Sequence, residues 1–191
     1  MPRYARVCPN GITWQHPDDG NKGGIGTTFP GTYGFGFEEW LGRDWVWNGP
    51  RFAGMDPDPA IDYHCGFIQA FRRQRENIAH DDVELFIIDG NRNRVAVGHI
   101  RQCTRLNAAE LVDVFNTYAQ QGWLATMQTE LAAANRAAIQ HHHAIRYPHQ
   151  LANMGHAPGE IFNVYFRVND IDFPQPQLRN YRFGRYFNLN Q

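Results

Sequence analysis

The segment from Val83 to Gln102 constrains this chain more than any other. Val83-Glu84-Leu85-Phe86-Ile87-Ile88 is a nearly continuous apolar run, which predicts a strand buried on both faces. Asp89-Gly90-Asn91-Arg92-Asn93 follows. Asp and Asn side chains bond their own backbone there and Gly tolerates left-handed angles, so a turn is predicted. From Arg94 to Gln102 the chain returns, with Val95 and Val97 alternating against Ala96 and Gly98. Two such runs joined by a short turn make an antiparallel hairpin. A hairpin alone is marginal in water, so the remaining chain must widen the sheet and cover it.

Helices supply the cover. Asn107 is suited to cap a helix, and Glu110 stands where a capping-box partner belongs. The spacing predicts a helix over 107–121 with an apolar stripe of Leu111, Val112, Phe115, Tyr118 and Ala119, stopped by Gly122. A second helix is predicted over 123–140, with Leu124, Met127, Leu131, Ala134 and Ala138 on one face. Further strands flank this pair. Residues 5–14 read as an opening strand weakened by Pro9. Ile61 to Phe71 reads as a strand with Tyr63, Cys65, Phe67 and Gln69 on one face and His64, Gly66, Ile68 and Ala70 on the other. Glu160 to Val168 places Phe162, Val164, Phe166 and Val168 opposite Asn163, Tyr165 and Arg167. Strands, two helices, then strands predict one α+β domain over residues 1–191, with a curved, mostly antiparallel sheet or a small β-barrel. Residues 173–191 form a tail rich in Pro, Arg and aromatics.

Composition narrows the function. The net charge of -1 excludes a broad electrostatic grip on nucleic acid or anionic membrane. Positive charge is carried by 17 Arg and one Lys, Lys22. That bias fits either bidentate recognition of phosphates and base edges or a plain Lys-to-Arg drift in a GC-rich genome. A PD-(D/E)xK nuclease needs an acid beside a lysine, and Lys22 sits in a Gly-rich segment with no strand-borne acid. His149, Asn153 and His156 crowd too closely for an HNH layout. The chain contains no Ser, which removes serine nucleophiles. His141-His142-His143 cannot all face one ion, because neighbouring side chains diverge. No metal or cofactor is therefore expected. Gly20 to Thr28 lacks the spacing of a phosphate loop. Cys8, Cys65 and Cys103 are too far apart for a knuckle and read as buried, reduced thiols of a cytoplasmic protein. No run reaches about 20 apolar residues and no apolar stretch follows the N-terminus, so neither a membrane span nor a secretory signal is expected.

Aromatics make up 14% of the chain, and they crowd its first third. Trp14, Phe37, Trp40, Tyr63 and Phe67 lie there beside Glu38, Glu39 and Gln69. Two arrangements fit: a core alone, or a core with a ligand pocket. A slot of rings with a carboxylate or amide at its wall is what an extruded base requires. Arg179, Arg182 and Arg185, three apart among Tyr181, Phe183, Tyr186 and Phe187, suit phosphates or a solvated edge.

Several segments resemble, in order, the N-terminal domains of modification-dependent restriction proteins. These are Ile12-Thr13-Trp14, Gly34 to Leu41 (GFGFEEWL), Tyr63 to Gln69 (YHCGFIQ), Val83 to Asp89 with Val97 to Ile100, and Phe162 to Arg167 (FNVYFR). Related domains are fused to HNH nucleases or AAA+ GTPase subunits and are distantly similar to the EVE/PUA-like superfamily. The YHCGF segment carries one residue more than the YGF pattern of that group. The resemblance implies a binding module without catalytic activity of its own, which flips a modified DNA base into an aromatic pocket for a restriction or defence system. Trp14, Phe37, Trp40, Tyr63 and Phe67 would supply rings, Glu38, Glu39 and Gln69 would read the edge, and Arg167, Arg182 and Arg185 would hold phosphates. The expected partner is modified DNA, with a separate nuclease or AAA+ subunit as effector. Two alternatives stand beside it: a small-molecule enzyme using Glu38 or His64 in acid-base chemistry, and a protein-interaction module docking through residues 173–191.

Overall fold

The computed structural model describes residues 3–11, 13–18, 35–73, 76–140 and 158–179. The predicted hairpin is its backbone. Strand β3 spans Ala79–Ile88 and β4 spans Arg94–Arg105, so β3 starts earlier and β4 ends later than the apolar runs, both at the end away from the turn. Asp89 builds the turn. Its Oδ1 accepts from the Asn91 and Asn93 N–H groups at 2.9 and 2.7 Å, while Arg92 takes a left-handed φ of 64°. The register shifts once, between Leu85 and Phe86. Such a bulge bends the strand and increases its twist.

The other strands pair with this hairpin from afar. β1, Arg3–Arg6, runs parallel to β3, and β2, Tyr63–Gly66, runs antiparallel to β5, Val164–Arg167. The sheet order is β1-β3-β4-β5-β2. The free edge of β4 takes three short partners in succession: β5, then β6 at Ile171–Asp172, then β7 at Gln177–Leu178. This is a mixed seven-stranded sheet with one parallel pair, in an α+β fold. Its end strands β1 and β2 do not pair, so the sheet is open and the barrel alternative is corrected.

Three strand expectations shorten: the one over Ile61 to Phe71 is a strand only at Tyr63–Gly66 and gives way to a 3-10 turn at Gln69–Phe71, and the other two shorten for local reasons. The opening strand is four residues long and ends before Pro9, which has no N–H for a ladder. Beyond it, Asn10 Oδ1 accepts the Trp14 N–H at 2.9 Å, and Thr13 and Trp14 turn through φ of 55° and 56°. The late strand starts at Val164, after a 3-10 turn at Pro158–Glu160. Phe162 therefore leaves the face it was assigned with Val164 and Phe166 and joins the opposite core.

Helix α1 spans Ala108–Gln120 and α2 spans Trp123–Gln140. The capping box forms: Glu110 N–H donates to Asn107 Oδ1 at 2.9 Å, and Asn107 N–H donates to Glu110 Oε2 at 2.8 Å. Gly122 separates the helices at a φ of 76°. The buried stripe of α1 is Val114 and Tyr118, flanked by Leu111 and Phe115, whereas Val112 and Ala119 are exposed. The helices cover one sheet face, where Tyr63, Cys65, Phe67 and Tyr165 meet Tyr118, Met127 and Leu131. The other face carries a second core of Ala5, Trp14, Leu41, Ile68, Phe71, Leu85, Ile100 and Phe166. Both faces are covered, and this is where the surplus aromatics go. Among the described residues, no helix is long and apolar enough to cross a membrane.

Candidate functional site

The two glutamates sit on a 3-10 turn, Phe37–Trp40, and both are buried. Gly36 permits that close packing: a Cβ there would lie 2.6 Å from Glu38 Oε2 and 2.9 Å from Cys8 Cβ. Glu39 is a clamp. Its Oε1 accepts the Gly36 N–H at 2.8 Å and the Cys8 thiol at 3.6 Å. Its Oε2 accepts the Asn10 amide at 2.9 Å and the Asp18 N–H at 3.4 Å. It thus ties the chain after β1 to the 3-10 turn. Glu39→Ala would strand these donors in a buried site. We expect a stability loss of about 2 kcal/mol, read as a lower urea midpoint at unchanged slope.

Glu38 is held differently. Its Oε1 accepts a 3.2 Å bond from the Gln69 N–H, and among the described residues it forms no ion pair. Burial dominates and pushes its pKa up to about 7; backbone N–H groups of Glu38 and Gln69 oppose this, Glu39 adds to it, and Arg6 draws it slightly down. The neutral acid form of Glu38 therefore persists well above the usual carboxylate range, and in that form it can donate and accept at once. Gln69 was placed on the strand face of Tyr63, Cys65 and Phe67. Instead it opens a 3-10 turn, Gln69–Phe71, and its side chain is exposed. The site thus bonds a buried acid to the backbone of a residue whose amide side chain is exposed.

The rings are packed on one another. Phe37 lies 5.5 Å from Phe35, 5.9 Å from Phe67 and 6.3 Å from Trp40. Trp40 donates Nε1–H to Glu130 Oε2 at 2.7 Å, and Glu130 pairs with Arg43 at 2.9 Å. Trp14 belongs to the other core, where it donates to the Cys8 carbonyl at 2.9 Å and stacks on Phe173 at 5.0 Å. Trp14 and the pair Trp40 and Tyr63 are therefore on different sheet faces and do not share one slot. Tyr63 opens β2, whereas Gln69 lies past the end of that strand in the 3-10 turn. Its hydroxyl accepts the Asp56 N–H at 2.8 Å, and its cross-strand partner Arg167 pairs with Asp56 at 2.9 Å.

His64 is buried against Phe166, its Nδ1 lies 3.0 Å from the Trp45 carbonyl, and it shares no hydrogen bond with Glu38. Burial lowers its pKa against the raising pull of the Trp45 and Trp40 backbones. Cys65 and Cys103 are buried free thiols, and burial raises both pKa values, so neither is an activated nucleophile. Arg182, Arg185 and the histidines of 141–156 lie outside the described residues, as does Gly20 to Thr28.

One residue with a decisive place was read only as a strand position. Asn163 is buried and spans two elements, taking the Ile68 N–H on Oδ1 at 2.8 Å and giving Nδ2–H to the Ile68 carbonyl at 2.9 Å. This fixes the backbone that presents Gln69 and its bond to Glu38. Compared with known proteins, the chain matches no protein family, no curated protein and no solved structure.

Proposed function

We propose that this chain is a DNA-binding module of the EVE/PUA-like kind, without catalytic activity of its own, that reads a modified base through Glu38 and Gln69. The observation that carries the reading is the buried Glu38 carboxyl, held at a pKa of about 7 and bonded to the backbone of the exposed Gln69. A neutral acid offers one donor and one acceptor, and a primary amide offers the same pair, which suits the Watson–Crick edge of an extruded base. The order of the GFGFEEWL, YHCGFIQ and FNVYFR segments supports the same reading. The rings of Trp40 and Phe67 pack against Phe37 and all three are buried rather than standing open. Neutral overall charge means that the pocket, not a basic face, must supply discrimination. A separate nuclease or AAA+ subunit would act on the bound site.

Titration of matched duplexes carrying plain, methylated or hydroxymethylated cytosine, at fixed salt, tests the proposal. We expect one modified duplex to bind at least about ten-fold tighter than the plain one. Equal, weak binding to all three would overturn base reading.

The raised pKa of Glu38 also favours a second reading, a general acid or base in a small-molecule enzyme. His64 adds nothing to it, since the two side chains share no bond and His64 is engaged by the Trp45 carbonyl. Turnover that follows a single ionisation near pH 7 and disappears in Glu38→Gln would favour the enzyme over the reader.

A further inference from the structure

The ladder along the free edge of β4 has a gap. β6 pairs with His99 and Ile100, and β7 pairs with Val95 and Ala96, while residues 173–176 run between them outside the ladder. Pro174 and Pro176 have no N–H, so this stretch is poorly suited to bridging the gap. A cavity of about 220 Å³ lies there, lined by Glu84, His99, Asp172, Gln175 and Arg179 over Gly98. Glu84 and His99 are cross-strand partners, so the sheet register fixes both on the cavity wall.

Two charges of this wall, those of Arg179 and Asp172, are incompletely matched. Arg179 Nη2 stands 4.0 Å from Glu84 Oε2, too long for a hydrogen bond. Among the described residues, the Arg179 guanidinium has no other partner, and the Asp172 carboxylate has no hydrogen bond or ion pair. A planar guanidinium binds a carboxylate with two parallel bonds, and carboxylates accept from an ammonium group. The volume is below that of drug-sized sites and suits a molecule the size of an amino acid. We propose that this cavity binds a small zwitterion of the α-amino acid class, with its ammonium group on Glu84 and Asp172 and its carboxylate on Arg179. The proposal is independent of DNA reading, because none of these residues belongs to the Glu38–Gln69 site.

Amide-resolved NMR titration of the full chain tests it with three probes: L-glutamine, methylammonium chloride and sodium acetate. Glutamine should produce saturable shifts centred on Gly98, His99 and Gln175, and each single-charge probe should bind at least about ten-fold more weakly. Arg179→Gln, at a half-exposed position, should weaken glutamine at least about ten-fold while leaving distant resonances in place, and Glu84→Gln should do the same. Absence of saturable shifts at Gly98 and His99 up to about 50 mM glutamine would overturn the site. So would equal shifts with acetate or methylammonium alone, or unchanged glutamine affinity in Arg179→Gln.

Discussion

Asn163→Leu is expected to lower stability by about 2–5 kcal/mol, although leucine is close in volume. The Asn163 side chain closes a two-bond bracket on the Ile68 backbone, and Ile68 is fully buried. Leucine leaves that N–H and carbonyl without partners, and each orphaned buried group costs about 1–3 kcal/mol. The Asn163 backbone adds two further ties, donating to the Gly66 carbonyl and accepting from Leu106 N–H. These survive the substitution, so the fold should persist with a looser exit from β2. For a chain of this size the melting temperature should fall by roughly 6–15 °C. Because Ile68 precedes Gln69, the same variant should weaken any binding that depends on Gln69. Thermal unfolding and hydrogen exchange at the Ile68 amide check both parts. A loss no larger than that of an exposed substitution, with Ile68 still protected, would show that the bracket carries little energy.

Glu38→Gln is expected to do the opposite above neutral pH. The folded-state pKa of Glu38, about 7, lies above its ordinary 4.5. A raised carboxyl pKa means that the folded state binds the proton more tightly than the unfolded state. Its contribution is fully present below about pH 4.5 and is lost as pH rises toward 7. Above that, the fold carries a buried anion at a cost of roughly 3 kcal/mol. Glutamine keeps an oxygen for the Gln69 N–H and removes the charge. The variant should therefore melt higher than the parent by roughly 6–10 °C at pH 8, and within a few degrees of it at pH 5. His80 has the reverse sign: burial beside Phe71 lowers its pKa to about 4, so its stabilisation is present above 6.5 and lost as pH falls toward 4. The two slopes oppose each other in the parent between 4.5 and 6.5, and Glu38→Gln should expose the histidine slope, to which buried His64, its pKa also lowered, contributes with the same sign as His80. Melting curves from pH 4 to 8 on both proteins measure this.

Local signals carried over well into the structure. The Asp89 turn, the Asn107–Glu110 box and the Gly122 break each depend on residues a few positions apart, and each forms. Long-range pairing was less legible. Nothing in Arg3–Arg6 specifies a parallel partner eighty residues on, and nothing local breaks the β4 edge into three short partners. The alternation over Glu160 to Val168 misled at Phe162, because a 3-10 turn and the Asn163 bracket reset the phase before Val164. The aromatic excess was legible as composition but not as placement. A sheet covered on both faces needs two cores, and Trp14 and Trp40 serve different ones. That Glu38 and Glu39 are both buried was also outside the reach of pattern, since consecutive residues usually point apart; a 3-10 turn wedged between the cores buries both.

The central claim is that Glu38 and Gln69 together read a base, and Gln69→Ala tests it most directly. Gln69 is exposed, and its side chain is dispensable to the fold, while its backbone bond to Glu38 survives the change. Affinity for the preferred modified duplex and for the plain duplex should be measured at one salt concentration, for parent and variant. The account predicts that the variant loses at least about ten-fold on the modified duplex and much less on the plain one, so the ratio collapses toward unity. An unchanged ratio, with both affinities intact, would contradict it.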